Sequence, residues 1–283
     1  MSGLPTVDSH LHLWRLGRSR YGWLDSVPEL KRDFTAAQAR TELDAAGVAE
    51  AILVQADDAL EDTGFLLETA AAEPWIRGVV GWIQLDSPAR AGAQLDRWLE
   101  SDKFCGVRHL VHDDPRDGFL ALAPVRESLS LLAAAGLPFD VPDAFPRHLG
   151  AAADLAGALP ELTVVVDHLG KPPLTDPDAM ARWRRELTVC ADRPNTVAKL
   201  SGLHIPGAEY NASALAPVFH AALELFGPER LMYGGDWPVS VLSGGYQQTW
   251  RVLKDLIATL SPAEQDDVLA ATAHRVYGRS TVA

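Results

Sequence analysis

His10 and His12 stand one residue apart in the stretch Thr6-Val7-Asp8-Ser9-His10-Leu11-His12-Leu13-Trp14. If this segment is extended, alternate side chains share a face and both imidazoles point the same way. Two imidazoles at one strand end can ligate a metal or handle protons. Alone, the tripeptide reads more plainly as a pair of hydrogen-bonded core histidines. Two further residues change that reading. His168 follows the run Val164-Val165-Val166-Asp167, where a polar side chain would be costly unless paired. Asp236 follows Tyr233-Gly234-Gly235, whose glycines let the backbone turn sharply and aim the carboxylate inward. Its plainer role would be to cap the next segment. Brought together, His10, His12, His168 and Asp236 could bind one divalent cation, zinc above all, through nitrogen and oxygen ligands. They could equally work without metal, Asp236 taking a proton from water that the imidazoles orient. Arg108 would sit where a fixed cation can polarise a carbonyl or hold a carboxylate.

The elements that must position these groups form a repeat. Strand-like runs are expected at residues 7–13, 51–55, 76–85, 104–110, 137–141, 162–168, 196–200 and 230–234. An alanine- and leucine-rich helical stretch follows each of them. Thr35 can cap the first helix and Gly47 close it; two helices, 250–260 and 262–277, end the chain. Eight strand–helix units in 283 residues are the pattern of a (β/α)8 barrel, a TIM barrel forming a single domain over residues 1–283. A doubly wound open sheet is the alternative, and the lack of a Gly-rich turn after the first strand weakens its dinucleotide-binding form. Residues 15–33 read as a long irregular segment, and so as a lid or binding loop.

A closed parallel barrel gathers functional groups at the C-terminal ends of its strands. Those ends carry His10 and His12, Gln55, Gln84, Arg108 and His109, Asp140, Asp167 and His168, Lys199 and Asp236. Asp167 is expected on the face opposite His168, holding a backbone or helix contact. His112 and His204 lie in loops on the same rim; His148, His220 and His274 fall within helical stretches. Lys171 and Lys199 could carry charge to the rim, although a solvated lysine is the plainer reading for each. Trp14, Trp23 and Trp237 flank it, where aromatic faces suit sugars and core packing is the ordinary alternative.

Composition limits the partners. The chain is 47% hydrophobic and 22% charged, ordinary for a globular protein, and its net charge of −13 comes with scattered basic residues. A basic stripe for nucleic acid or an anionic membrane is missing. The two cysteines are too few for a disulfide framework. No apolar run approaches the roughly 20 residues that span a bilayer, and no basic-then-apolar leader opens the chain. A soluble, cytoplasmic protein is expected, with self-association left open.

The motifs are also similar to those of a known family. The chain resembles the amidohydrolase superfamily, in its amidohydrolase-2 branch, and within it the sugar lactonases acting on L-fuconolactone or L-rhamnonolactone. The likeness rests on Val7 to Trp14, Gly106-Val107-Arg108-His109, Val166-Asp167-His168-Leu169-Gly170-Lys171-Pro172, Lys199-Leu200-Ser201-Gly202-Leu203 and Tyr233-Gly234-Gly235-Asp236-Trp237-Pro238-Val239. They span nearly the whole chain. The resemblance implies that His10, His12 and His168 build the site and that Asp236 activates water. Many members bridge two metals with a lysine on the fourth strand and a histidine on the fifth. Here those strands carry Arg108 with His109, and Asp140, so one divalent ion or none is implied.

Hydrolysis of a sugar-acid lactone to the open acid is the function expected. In it Asp236 serves as base, His168 and Arg108 act beside it, and His109 assists at the oxyanion. Trp14, Trp23, His112, Lys171 and Trp237 would bind substrate. The alternatives are a metal-dependent non-oxidative decarboxylase of an aromatic acid and a non-catalytic barrel that binds a small molecule.

Overall fold

A computed structural model describes residues 4–116, 118–204 and 208–278. Part of the loops expected at 112–119 and 201–211 therefore lies outside the described residues. The eight strands are β1 (Val7–Leu11), β2 (Glu50–Val54), β3 (Ile76–Gly81), β4 (Phe104–Arg108), β5 (Phe139–Val141), β6 (Val164–Val166), β7 (Thr196–Leu200) and β8 (Leu231–Tyr233). Each pairs in parallel with the next, in the order of the sequence. Beyond the strands, His12 N donates to Trp237 O at 2.7 Å and Asp236 N to His10 O at 2.8 Å. The first strand is thus laced to the segment after the last, and the sheet closes as a (β/α)8 barrel.

Between consecutive strands run α1 (Ala36–Ala46), α2 (Leu60–Ala72), α3 (Pro88–Leu99), α4 (Ala123–Ala134), α5 (Leu149–Ala158), α6 (Pro177–Ala191) and α7 (Ala212–Phe226). After β8 come α8 (Tyr246–Ile257), α9 (Pro262–Asp266), a π-turn at Asp267–Ala271 and α10 (Thr272–Tyr277). Local chemistry fixes the ends of α1: Thr35 and Gln38 form a reciprocal capping box, and Gly47 closes the helix at φ 72°.

Two apolar cores result. The larger lies between the strands and their covering helices. The second fills the barrel, where Val7, Ile52, Val54, Val80, Val165, Val197 and Met232 meet Ala270, Ala273 and Tyr277. The final helical segment therefore plugs one end of the barrel, leaving the site at the other.

Two expectations need correction. Residues 15–33 are not structureless: they hold 3-10 turns at Gly22–Ser26 and Pro28–Leu30, with Tyr21, Leu24 and Leu30 buried beneath them. The sixth strand stops at Val166 rather than His168, because His168 and Leu169 take left-handed backbone at φ 56° and 52°.

Candidate active site

His10 and His12 reach the same point, with their Nε2 atoms 3.1 Å apart. His12 Nδ1 lies 2.8 Å from Val54 O, which accepts only a donated proton, so His12 presents a bare Nε2 to the interior. Asp236 Oδ1 stands 3.5 Å from that Nε2 and 3.9 Å from His10 Nε2. His168 packs edge-on against His10, ring centroids 4.5 Å apart, and its Nδ1 is 2.8 Å from Ser201 Oγ. The four sequence candidates are brought together.

Special backbone does the placing. The left-handed turn at His168 swings its ring toward His10. It packs against Gly202, φ +53°, where any Cβ would overlap the imidazole. Gly235 is equally closed to a side chain by Tyr246 and Asp8. Asp8, not selected from sequence, ties these pieces: its Oδ1 accepts from His10 N and Gly235 N, each at 2.9 Å, and its Oδ2 from Tyr246 OH at 2.9 Å. Burial pushes its carboxyl up to about 7 against those bonds.

Beneath the histidines lies a buried ionic layer. Lys199 Nζ is 2.6 Å from Asp140 Oδ2, 3.0 Å from Asp167 Oδ1 and 3.1 Å from His10 Nδ1. Arg108 adds a second cation, 3.3 Å from Asp167 Oδ2, and donates to Gln55 O at 2.6 Å. Tyr277 OH reaches up from α10 to Asp140 at 2.7 Å. Lys199 is thus wholly buried rather than solvated. Asp167 faces inward two residues after Val165, as strand alternation requires; it does not hold a helix. His168 joins it only because the strand has ended.

The layer sets the charges above it. Burial lowers His10 well below the usual imidazole range, with Lys199 adding to the effect and Asp167 opposing it. Burial likewise lowers His168. Burial opposes ionisation of Asp236, but its attraction to the protonated forms of His168, His12 and His10 holds its carboxyl well below the carboxylate range. Asp236 and the imidazoles of His10 and His168 therefore hold their protons as one electrostatically linked cluster.

That donor set fits a metal. His10, His12 and Asp236 offer ligand atoms within 4.8 Å of one another. With His10 Nδ1–H donated to Asp167, both Nε2 lone pairs and Asp236 face one point, an arrangement suited to a divalent cation. If Lys199 instead donates to His10 Nδ1, His10 Nε2–H can donate to His12 Nε2, and the pair is satisfied without an ion. His10, Asp167 and His168 form a second group whose ligand atoms lie equally close.

Above this floor is a cavity of about 220 Å³ lined by His12, Trp23, Arg108, His112, His168, Lys171 and Asp236, among others. Asp143, not selected from sequence, lines it too. Lys171 is half-buried, its Nζ donating to Gly202 O at 2.9 Å. Three expected contacts are absent from the lining. Trp14 is fully buried, donates Nε1 to Arg32 O at 2.8 Å and backs Trp23 at 5.3 Å between rings. His109 is held 3.1 Å from Asp114 and 3.2 Å from Asp58, stacked on Phe119. Trp237 packs edge-on against Phe34. Each supports a loop from behind.

The whole chain has relatives. The amidohydrolase family profile matches residues 7–279. An L-fucono-1,5-lactonase of Burkholderia multivorans is 34% identical over 289 residues, covering 97% of this chain and 96% of that protein. One from Burkholderia ambifaria is 32% identical over 242 residues, covering 85% and 82%. The crystal structure of an amidohydrolase from Burkholderia multivorans with bound Zn superposes with a TM-score of 0.86 at 33% identity, covering 96% and 99%. A 2,6-dihydroxybenzoate decarboxylase, TM-score 0.66 at 16% identity over 98% and 99%, shares the fold alone.

Proposed function

The chain belongs to the amidohydrolase family, and on that premise we propose that it hydrolyses a sugar-acid lactone of the L-fucono- or L-rhamnono-lactone type to the open-chain acid. The observation that carries this reading is the Asp236 carboxylate held 3.9 Å from His10 and 3.5 Å from His12, with His168 beside them, at the floor of a cavity walled by Trp23 and polar side chains. The two lactonase relatives support the ester class.

Water at the floor would lie against His12, His168 and Asp236. Asp236 accepts one of its protons as the oxygen attacks the lactone carbonyl carbon. The carbonyl oxygen takes up negative charge, which the Arg108 guanidinium at the cavity wall offsets. When the tetrahedral carbon collapses, the ring C–O bond breaks and the departing alkoxide recovers the proton from Asp236. The products are a hydroxyl and a carboxylic acid, which ionises. Trp23 gives the sugar an apolar face to stack on, and Lys171 and His112 offer polar contacts beside it. A divalent ion held by His10, His12 and Asp236 would supply Lewis acidity and a more acidic water.

A pH-indicator screen of aldonolactones on the purified protein, with zinc and with chelator, tests the reading. Acid release from a six-carbon sugar lactone is expected. Survival under chelation would assign activation to the side chains, and its loss to the ion. Silence across the panel with zinc supplied would sink the proposal, as would carbon dioxide release from an aromatic acid in its place.

A further inference from the structure

Asp143 follows β5, in the segment that leads to α5. Its backbone is left-handed at φ 42°, a conformation that Asp tolerates better than most residues. Its side chain lines the catalytic cavity with His112, Lys171, His168 and Asp236. Among the described residues no hydrogen bond or ion pair engages its carboxylate. Burial opposes its ionisation, but Lys171, His168 and His112 hold the carboxyl below its ordinary value. An ionised carboxylate only accepts hydrogen bonds.

The cations of the wall, by contrast, are partly engaged, Arg108 keeping its Nε–H unpaired. Arg108 donates to Asp167 and Gln55 O, and Lys171 donates to Gly202 O. Asp143 is therefore an acceptor left open to the cavity, and a ligand that satisfies it brings donors. Adjacent hydroxyls on one ring can each donate to one oxygen of a single carboxylate. A carboxylate on the ligand would instead meet two ionised acids, Asp143 and Asp236, in one small space.

We propose that Asp143 is the specificity-determining residue of this cavity, accepting hydrogen bonds from vicinal hydroxyls of an uncharged polyhydroxylated ring. The inference rests on the lactone reading for the identity of that ring, and deepens it. It selects against substrates that are themselves acids, and it gives the fifth-strand loop a role in choosing substrate rather than in moving protons.

The test uses binding as well as turnover. L-fucono-1,5-lactam replaces the ester by an amide and keeps the hydroxyls; δ-valerolactam lacks them. Titration calorimetry on the native protein is expected to give at least about tenfold tighter binding of the hydroxylated lactam, equivalent to about 1.4 kcal/mol. In Asp143→Ala that preference should largely vanish while δ-valerolactam binding holds. Asp143→Asn, which keeps one acceptor and guards against a folding artefact, should fall between. With the lactone itself, KM should rise more than kcat falls. Equal affinity for the two lactams in the native protein overturns the proposal, as does a preference that survives both substitutions. If the lactam preference depends on Asp143 but no lactone is hydrolysed, the catalytic reading fails and the recognition role stands.

Discussion

Residue chemistry lets the same two histidines present either a pair of lone pairs or a self-satisfied hydrogen bond. His12 is fixed by its bond to Val54 O, whereas His10 Nδ1 faces an acceptor, Asp167, and a donor, Lys199. Which of them it pairs with decides whether its Nε2 offers a lone pair or a proton. Asp236 is the group whose loss should matter most. Asp236→Asn keeps the volume and removes the base, so the thermal midpoint should stay near the native value while kcat falls by roughly 10²–10⁴. Turnover near the native level would remove Asp236 from its role. His10, His12, His168 and Asp236 were legible because their types and spacing are unusual on apolar strands. Trp14, His109 and Trp237 were misplaced because nearness to a strand end does not say which way a side chain points.

At the scale of elements, the segment 15–33 is held down by two carboxylates after β2. Asp57 Oδ2 accepts from Ser19 Oγ at 2.5 Å, Tyr21 N at 3.0 Å and Arg20 N at 3.1 Å. Asp62 accepts from Tyr21 OH at 2.7 Å and Ala56 N at 2.8 Å, and Trp23 Nε1 donates to Ala56 O at 2.8 Å. This clasp fixes Trp23 over the cavity, the position a lid would need. Burial pushes the Asp62 carboxyl up to about 7 from 3.8, despite the bonds it accepts. The folded chain then holds this proton more tightly than the unfolded chain. The stability it contributes is complete below the unfolded value and is lost as pH rises through about 7. Asp62→Asn removes the titration while keeping an acceptor. Between pH 5 and pH 8, native stability should drop relative to this variant by about 2–3 kcal/mol in denaturant titrations. Parallel pH profiles would refute it. A second expectation concerns Trp23→Ala, which strips the wall and leaves the floor intact: steady-state kinetics should show KM rising about tenfold with kcat changed far less, for an aromatic contact of about 1 kcal/mol or more. A kcat loss with KM unchanged would argue against a binding role.

Across the whole molecule, the barrel carries its polar centre on a layer of opposed charges. Lys199 and Arg108 face Asp140 and Asp167, two cations against two acids, with Tyr277 completing Asp140 from the last helix. Removing one member leaves buried charge without a counterion. Lys199→Met should therefore destabilise the fold by about 3–5 kcal/mol, read as a lower denaturant midpoint. An unchanged midpoint would mean that the layer contributes nothing to folding. The net charge of −13 repels polyanions at long range, and among the described residues no helix is long and apolar enough to cross a membrane.

The order of apolar runs determined the architecture before any coordinate was known. Eight strand periods alternating with helical ones leave few ways to bury every face, and the closed barrel is the one the chain adopts. Residue type then marked the chemistry, since imidazoles and a carboxylate at strand ends are costly unless they meet. What the sequence could not express is direction and distance. The left-handed turn that swings His168 inward depends on space opened at Gly202, 34 positions later in the chain. Lys199 looked solvated until Asp140 and Asp167, on two other strands, closed around it. Asp143 gave no pattern at all, because a free carboxylate is defined by what fails to approach it. Such features depend on packing between segments remote in sequence, and only the folded barrel decides them.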